Sequence, residues 1–322
     1  MLNFDLADLQ QAAKEVHAVM QPTPQYHWPL LSERLGCEVW VKHEDCTPAG
    51  AFKIRGGITY FNRLAQKQNV REVVCATRGN HGISVAFNAA RTGIKATVFV
   101  PFGNSVEKNS AMRSWGANVV ERGEDFQESF EYAHEYAARN ELHLVPSFAP
   151  DLVLGVASLA LEFLPAAQFD RVYSPIGLGS GVAALLTARK ALGLKTEIVG
   201  VVASGARAYA ESMQQRRSID VPVTTFADGM ACRRPNPQAL EFFLSQNPRL
   251  VEVEDDDIAQ AMRLYFSATH HVAEPAGAAS LAAAMKDPLR GGGQRVGVIL
   301  SGANVDTEVF LNVLAGGVAV AD

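Results

Sequence analysis

Cysteine is scarce: Cys37, Cys46, Cys75 and Cys232 are the only four in 322 residues, and none stands in a CxxC or zinc-ligand spacing. That excludes a disulfide scaffold and a cysteine-built metal centre. It fits a reducing compartment, so a cytoplasmic location is expected. The start, Met1-Leu2-Asn3-Phe4-Asp5, lacks the basic segment and apolar core of a secretory leader. No apolar run is long enough for a membrane-spanning helix. Basic runs are missing as well, and the formal net charge is −5, which argues against nucleic acid or an anionic membrane as partner. No repeat of fixed period interrupts the chain.

What is present is ordinary globular composition, 48% apolar and 20% charged, in a chain long enough for one or two cores. The spacing of Leu6, Leu9, Ala13, Val16 and Met20 predicts a helix from Asp5 to Met20, with Asp5 as its cap. Short apolar runs then alternate with amphipathic ones. Strands are expected at Val73–Ala76, Ala96–Val100, Val119–Val120, Leu142–Val145, Arg171–Ser174, Glu197–Val202 and Arg295–Leu300. Helices are expected at Gly82–Arg91, Val106–Trp115, Phe126–Ala138 and Val182–Leu192. The Ala/Gly-rich stretch Ala276–Ala284 reads as a tightly packed helix, and the acidic run Glu252–Asp257 as a solvated helix start. This alternation predicts an α/β fold with parallel twisted sheets flanked by helices, which bind ligands at the carboxyl ends of their strands.

Four segments carry chemistry. In Thr47-Pro48-Ala49-Gly50-Ala51-Phe52-Lys53-Ile54, Lys53 follows a Pro/Gly turn and sits between apolar neighbours, a setting that lowers an amine's pKa and makes it nucleophilic. Thr77-Arg78-Gly79-Asn80-His81-Gly82 follows a strand and opens a helix, so backbone N–H groups there face an anion such as a carboxylate. Pro175-Ile176-Gly177-Leu178-Gly179-Ser180-Gly181 has the same placement and suits a phosphate held by main-chain amides and the Ser180 hydroxyl. It is not the P-loop pattern, and it matches the dinucleotide pattern only in part. Ser301-Gly302-Ala303-Asn304 ends the last strand and reaches the same kind of crevice. Each segment alone is compatible with an ordinary turn.

In this order, the four resemble the fold-type II pyridoxal-phosphate (PLP) enzymes, in the serine/threonine dehydratase and serine racemase branch. The resemblance runs from about Met20 to Asn304, with further anchors at Thr225-Phe226-Ala227-Asp228-Gly229 and Glu274-Pro275-Ala276-Gly277-Ala278. It implies that Lys53 forms the Schiff base with PLP, that Phe52 packs beside the cofactor and that Asn80 bonds its 3-hydroxyl. It further implies that Gly177, Leu178, Gly179, Ser180 and Gly181 bind the phosphate, that Glu274 lies near the cofactor and that Ser301 faces the ring nitrogen. The substrate loop would be Thr77, Arg78, Gly79 and His81, with Thr77 and His81 on the carboxylate. It also implies a homodimer and two domains: residues 71–146 as a small domain with the Asn80 loop, residues 1–70 and 147–322 as the large one.

Ser301 bears on the reaction. A neutral hydroxyl opposite the ring nitrogen makes the ring a weaker electron sink than a carboxylate would, which favours loss of a β-leaving group over transamination. The expected activity is a dehydratase (ammonia-lyase) that converts a 3-hydroxy amino acid to a 2-oxo acid and ammonia. Racemisation or β-replacement on the same scaffold is the rival, then a non-enzymatic PLP-binding protein, then a nicotinamide enzyme.

The chain departs from the family at three places. Arg78 replaces the serine that acts as second base in the racemases, and an arginine stays charged. Val201–Ala208 lacks the acidic ligands of the metal-activated members, so no magnesium or calcium is expected there. Gly155-Val156-Ala157-Ser158 replaces a Gly-Gln-Gly-Thr stretch. With Phe148 and Phe226, this stretch suggests a less polar pocket and a bulkier substrate such as 3-phenylserine. The chain also has no length for a C-terminal regulatory domain, so inhibition by isoleucine is not expected. His270, His271 and Glu274 resemble a metal set in spacing only, and no metal is expected. His43 reads as structural, and Asp228 as a loop-orienting residue.

Overall fold

The computed structural model describes residues 2–67, 70–288 and 293–318. Among the described residues, ten strands form two sheets: β1 (Gln25–His27), β2 (Glu38–His43), β3 (Glu72–Ala76), β4 (Lys95–Val100), β5 (Asn118–Glu121), β6 (His143–Leu144), β7 (Arg171–Pro175), β8 (Glu197–Ala203), β9 (Arg249–Val253) and β10 (Arg295–Leu300). The larger sheet runs β1-β2-β10-β7-β8-β9 and the smaller β5-β4-β3-β6. Every pair is parallel except β1 with β2.

The parallel arrangement follows from two-sided burial. Strands β7, β8 and β10 are buried from their second residue onward, as expected where helices cover both faces. Alternate residues supply different cores. In β3, Val73 and Cys75 join a cluster with Ile54, Ile58 and Phe61, while Val74 and Ala76 join one with Ala133 and Ala137. In β10, Val298 and Leu300 face one core and Ile299 the other.

The helix Leu6–His17 has the anticipated Asp5 cap, in a capping box with Asp8, and ends before Met20. The helix anticipated from Val182 begins at Ser180, because Gly179 takes a left-handed conformation (φ 94°) that turns the chain straight off β7. The first turn of that helix therefore lies inside the glycine motif. Helices Lys53–Gln66 and Pro150–Phe163 pack against each other, and a Cβ on Gly155 would lie 2.2 Å from Thr59 Oγ1. Among the described residues, no helix is long and apolar enough to cross a membrane.

At Val201–Ala208, the Arg207 guanidinium pairs with Glu252 at 2.9 Å and Glu211 at 3.7 Å. A cation thus already stands among the nearby carboxylates.

Candidate active site

Lys53 is the first residue of its helix, and the loop before it is tied to the end of β10. Phe52 N–H donates to the Ser301 carbonyl at 3.0 Å, and Ala51 bridges Gly302. This carries Lys53 to the carboxyl edge of the large sheet, where β7 releases the glycine turn. Lys53 Nζ donates to Ser180 Oγ at 3.3 Å and lies 5.2 Å from the centre of the Phe52 ring. Burial lowers its pKa to about 8. About a tenth of the amine is thus neutral at pH 7, where an ordinary lysine is almost wholly protonated, and the neutral form is the nucleophile or base.

The turn itself admits little beyond glycine. A Cβ on Gly177 would fall 2.2 Å from the Gly229 carbonyl oxygen. The helix Ser180–Ala191 then presents its first N–H groups to the cleft.

The second loop leaves β3 at Ala76 and enters the helix Asn80–Thr92. Thr77 Oγ1 accepts from the N–H of Gly79 at 2.9 Å and of Gly82 at 3.1 Å, which closes the loop on itself. Asn80 is fixed at both ends: Nδ2 donates to Glu274 Oε1 at 2.6 Å, and Oδ1 accepts from Asn304 Nδ2 at 2.8 Å. Burial raises Glu274 to about 7, against the lowering effect of Lys108. Ser301 is buried just past the end of β10, and among the described residues its hydroxyl has only a long contact, 3.5 Å, to the Ala276 carbonyl.

The residues anticipated for the cofactor and for the substrate loop all line one cleft of about 790 Å³: Phe52, Lys53, Thr77, Arg78, Gly79, Asn80, His81, Gly177 to Gly181, Glu274 and Ser301. Several lining residues were not anticipated. Lys108 Nζ crosses the cleft to Asp228 Oδ2 at 2.6 Å and stands 3.6 Å from Glu274 Oε2. Its stem lies over the substrate loop, so that a Cβ on Gly79 would come within 2.4 Å of Lys108 Cδ. Nothing in the sequence near Lys108 marks it, because its partners are far away in the chain. Asp228, read from sequence as orienting a loop, is instead the counter-charge of Lys108. Replacing Lys108 with Met strands a buried carboxylate. The expected cost is about 1–3 kcal/mol, read from the urea midpoint.

One expectation is corrected. Phe148, Phe226 and the stretch Gly155–Ser158 are not among the cleft-lining residues. Phe148, Val156 and Ala157 are buried in a core of the large sheet, and Phe226 packs against the other. Ser158 Oγ accepts from Arg55 at 2.9 Å. Their polarity therefore says nothing about a substrate pocket. The apolar part of the wall comes instead from Phe126, Val221, Pro222, Val223 and Met230.

His43, Asp45 and His271 approach one another away from these lining residues. Trp28 Nε1 donates to His43 Nε2 at 3.0 Å, which leaves the His43 proton on Nδ1, facing Asp45 Oδ1 at 3.3 Å. That tautomer suits a hydrogen-bonded packing role. His270 takes a left-handed conformation (φ 58°) at the end of the helix Asp255–Thr269.

The family model described as "Pyridoxal-phosphate dependent enzyme" matches residues 17–302. The chain belongs to this family. Its site fits the PLP cofactor: a buried amine beside a glycine turn with no room for Cβ atoms, a fixed Asn80, and a neutral Ser301 at the ring-nitrogen position implied by the resemblance. Glu274 Oε2 makes no hydrogen bond among the described residues and lies 3.6 Å from Lys108 Nζ.

The L-threonine dehydratase biosynthetic IlvA of Escherichia coli is 34% identical over 90% of this chain and 58% of its own length. An L-threonine ammonia-lyase of Geobacter sulfurreducens is 30% identical over 100% of this chain and 80% of its own. The chain thus spans little more than half of the biosynthetic relative. Among solved structures, a PLP-dependent aspartate racemase superposes with a TM-score of 0.87 at 25% identity, covering 95% of this chain and 97% of that one. The aspartate racemase thus shares the architecture described here.

Proposed function

We propose that the protein is a PLP-dependent dehydratase that removes water from an L-3-hydroxy amino acid of the serine/threonine type, giving a 2-oxo acid and ammonia. The observation that carries this reading is the meeting of the buried Lys53 amine with Ser180 at the head of the glycine turn, 3.3 Å away. The dehydratase and ammonia-lyase relatives support the reaction class.

When bound, PLP supplies an electron-withdrawing ring joined to the substrate nitrogen, which acidifies the Cα proton. Lys53 Nζ, whose neutral form burial makes accessible near neutral pH, takes that proton. Ser301 offers no charge to hold the ring nitrogen protonated, so loss of the β-hydroxyl is the favoured relief of charge at Cα. The start of the helix Asn80–Thr92 receives the substrate carboxylate. Glu274 and Asn304 keep Asn80 turned toward the cofactor side of the cleft. Residues 71–146 act as the closing domain, and Lys108 reaches from it to Asp228. In this reading two copies of the chain assemble as a homodimer in the cytoplasm.

The apolar wall of Phe126, Val221, Pro222, Val223 and Met230 favours a bulky side chain. The PLP-loaded protein is assayed with L-serine, L-threonine and L-3-phenylserine. The expected products are 2-oxo acid and ammonia in equal amounts, with kcat/KM for phenylserine at least about ten-fold above threonine. Threonine outperforming phenylserine would remove the bulky-substrate part. A D-amino acid formed without oxo acid would replace the dehydratase with a racemase. Arg78 argues against that outcome, since a guanidinium does not shuttle protons at neutral pH.

A further inference from the structure

The resemblance gives the substrate carboxylate to Thr77 and His81, yet both are engaged elsewhere. The Thr77 hydroxyl oxygen holds the N–H groups of Gly79 and Gly82. The His81 ring bonds the Val145 backbone, while its Nε2 is enclosed without a partner. A neutral imidazole has one N–H. With that hydrogen on Nδ1 facing Val145, Nε2 offers a lone pair, which repels a carboxylate. Burial and then the nearby Lys53 hold His81 far down, at about 3, so the ring stays neutral.

Arg78 is in the opposite position. It is half-buried and lines the cleft. The other cations of the lining are engaged: Lys108 with Asp228 at 2.6 Å, Arg233 with Asp125 at 3.3 Å, Arg234 with Asp220 at 2.5 Å, and Lys53 with Ser180. Among the described residues no hydrogen bond or ion pair is found for Arg78. Beside it the helix Asn80–Thr92 begins, where Asn80 and His81 N–H have no partner within the helix. A guanidinium half removed from water, next to open helix-start donors, is built for a planar anion.

We propose that Arg78, and not His81, supplies the charge that binds the α-carboxylate of the amino acid, in a two-point contact that sorts amino acids from amino alcohols. The proposal rests on the dehydratase reading of the same cleft. Two-point binding also fixes how Cα is presented to Lys53.

The test uses PLP-loaded protein and the absorbance change on equilibrium binding of L-alanine or L-alaninol, neither of which has a β-hydroxyl to lose. Wild type is expected to prefer alanine by about 10- to 150-fold. In Arg78→Gln that preference falls to near unity, in Arg78→Lys it returns in part, and in His81→Asn it survives within about three-fold. The cofactor absorbance reports that each variant is folded and loaded. A preference kept in Arg78→Gln but lost in His81→Asn overturns the proposal. So does a strong wild-type preference for L-aspartate over L-alanine that disappears in Arg78→Gln, which would give Arg78 a side-chain acid to read. If loaded wild type binds neither alanine nor alaninol, the dehydratase reading itself fails and the proposal falls with it.

Discussion

Lys53→Ala is expected to lower dehydratase activity by about four orders of magnitude or more, because one amine serves as both cofactor anchor and proton acceptor. The same variant, mixed with PLP, stays without the yellow absorbance that wild type acquires. Activity is read as 2-oxo acid release and the anchor as the visible spectrum. A yellow, active Lys53→Ala protein would refute the site. A pH arm follows from burial of the amine. Only the neutral amine attacks an aldehyde, so the rate at which the apoprotein takes up PLP should rise with pH through about 8 and then level off. The sign for stability is the same. The folded state binds fewer protons than the unfolded chain between about 8 and the ordinary lysine value of 10.5. Apoprotein stability therefore rises with pH across that window.

Arg55→Met is expected to destabilise the fold by about 3–5 kcal/mol, read from the denaturant midpoint, and to weaken PLP retention with it. Arg55 is fully buried two residues after Lys53, on the opposite face of the same helix. It donates to Glu44 at 2.7 and 2.9 Å, to Glu162 at 2.6 and 2.9 Å and to Ser158 at 2.9 Å. Lys42 reaches Glu162 at 2.5 Å and the Thr23 carbonyl at 2.8 Å. Two buried cations therefore balance two carboxylates beside the helix that begins at Lys53. Removing the guanidinium leaves Glu44 and Glu162 against Lys42 alone. A midpoint unchanged by Arg55→Met would show that the network contributes little. An acid titration tests the same group. Burial pushes Glu162 up, but Arg55 and Lys42 outweigh it and hold it at about 2. Its contribution is complete above the unfolded value near 4.5 and is lost as pH falls from there toward 2.

Local physics made seven of the ten described strands and several helix starts legible. Val73–Ala76 and Arg295–Leu300 are apolar runs between turns, and Asp5 is a cap by its chemistry and position. The glycine turn and the Asn80 loop were legible for the same reason: backbone conformation and helix starts are written in a few adjacent residues. Phe52 and Ile54 marked Lys53 as an amine in an apolar setting, and the family resemblance pointed to it as the Schiff-base lysine. A short polar element such as β1 gave too little periodicity to be seen.

The charge pairing across the cleft was not legible. Lys108, Asp228 and Glu274 are brought together only when β3, β10 and the helix Pro275–Lys286 are in place, and no local signal encodes a partner more than a hundred residues away. The same holds for Phe148, Phe226 and Gly155–Ser158, which look like pocket residues in the chain and are core residues in the fold. The sequence by itself determined which backbone turns and which reactive amine exist. The tertiary structure alone decided which charges are neutralised and which, like Arg78, stay open. Coulomb energy depends on distance and dielectric, and both are set by packing rather than by sequence separation.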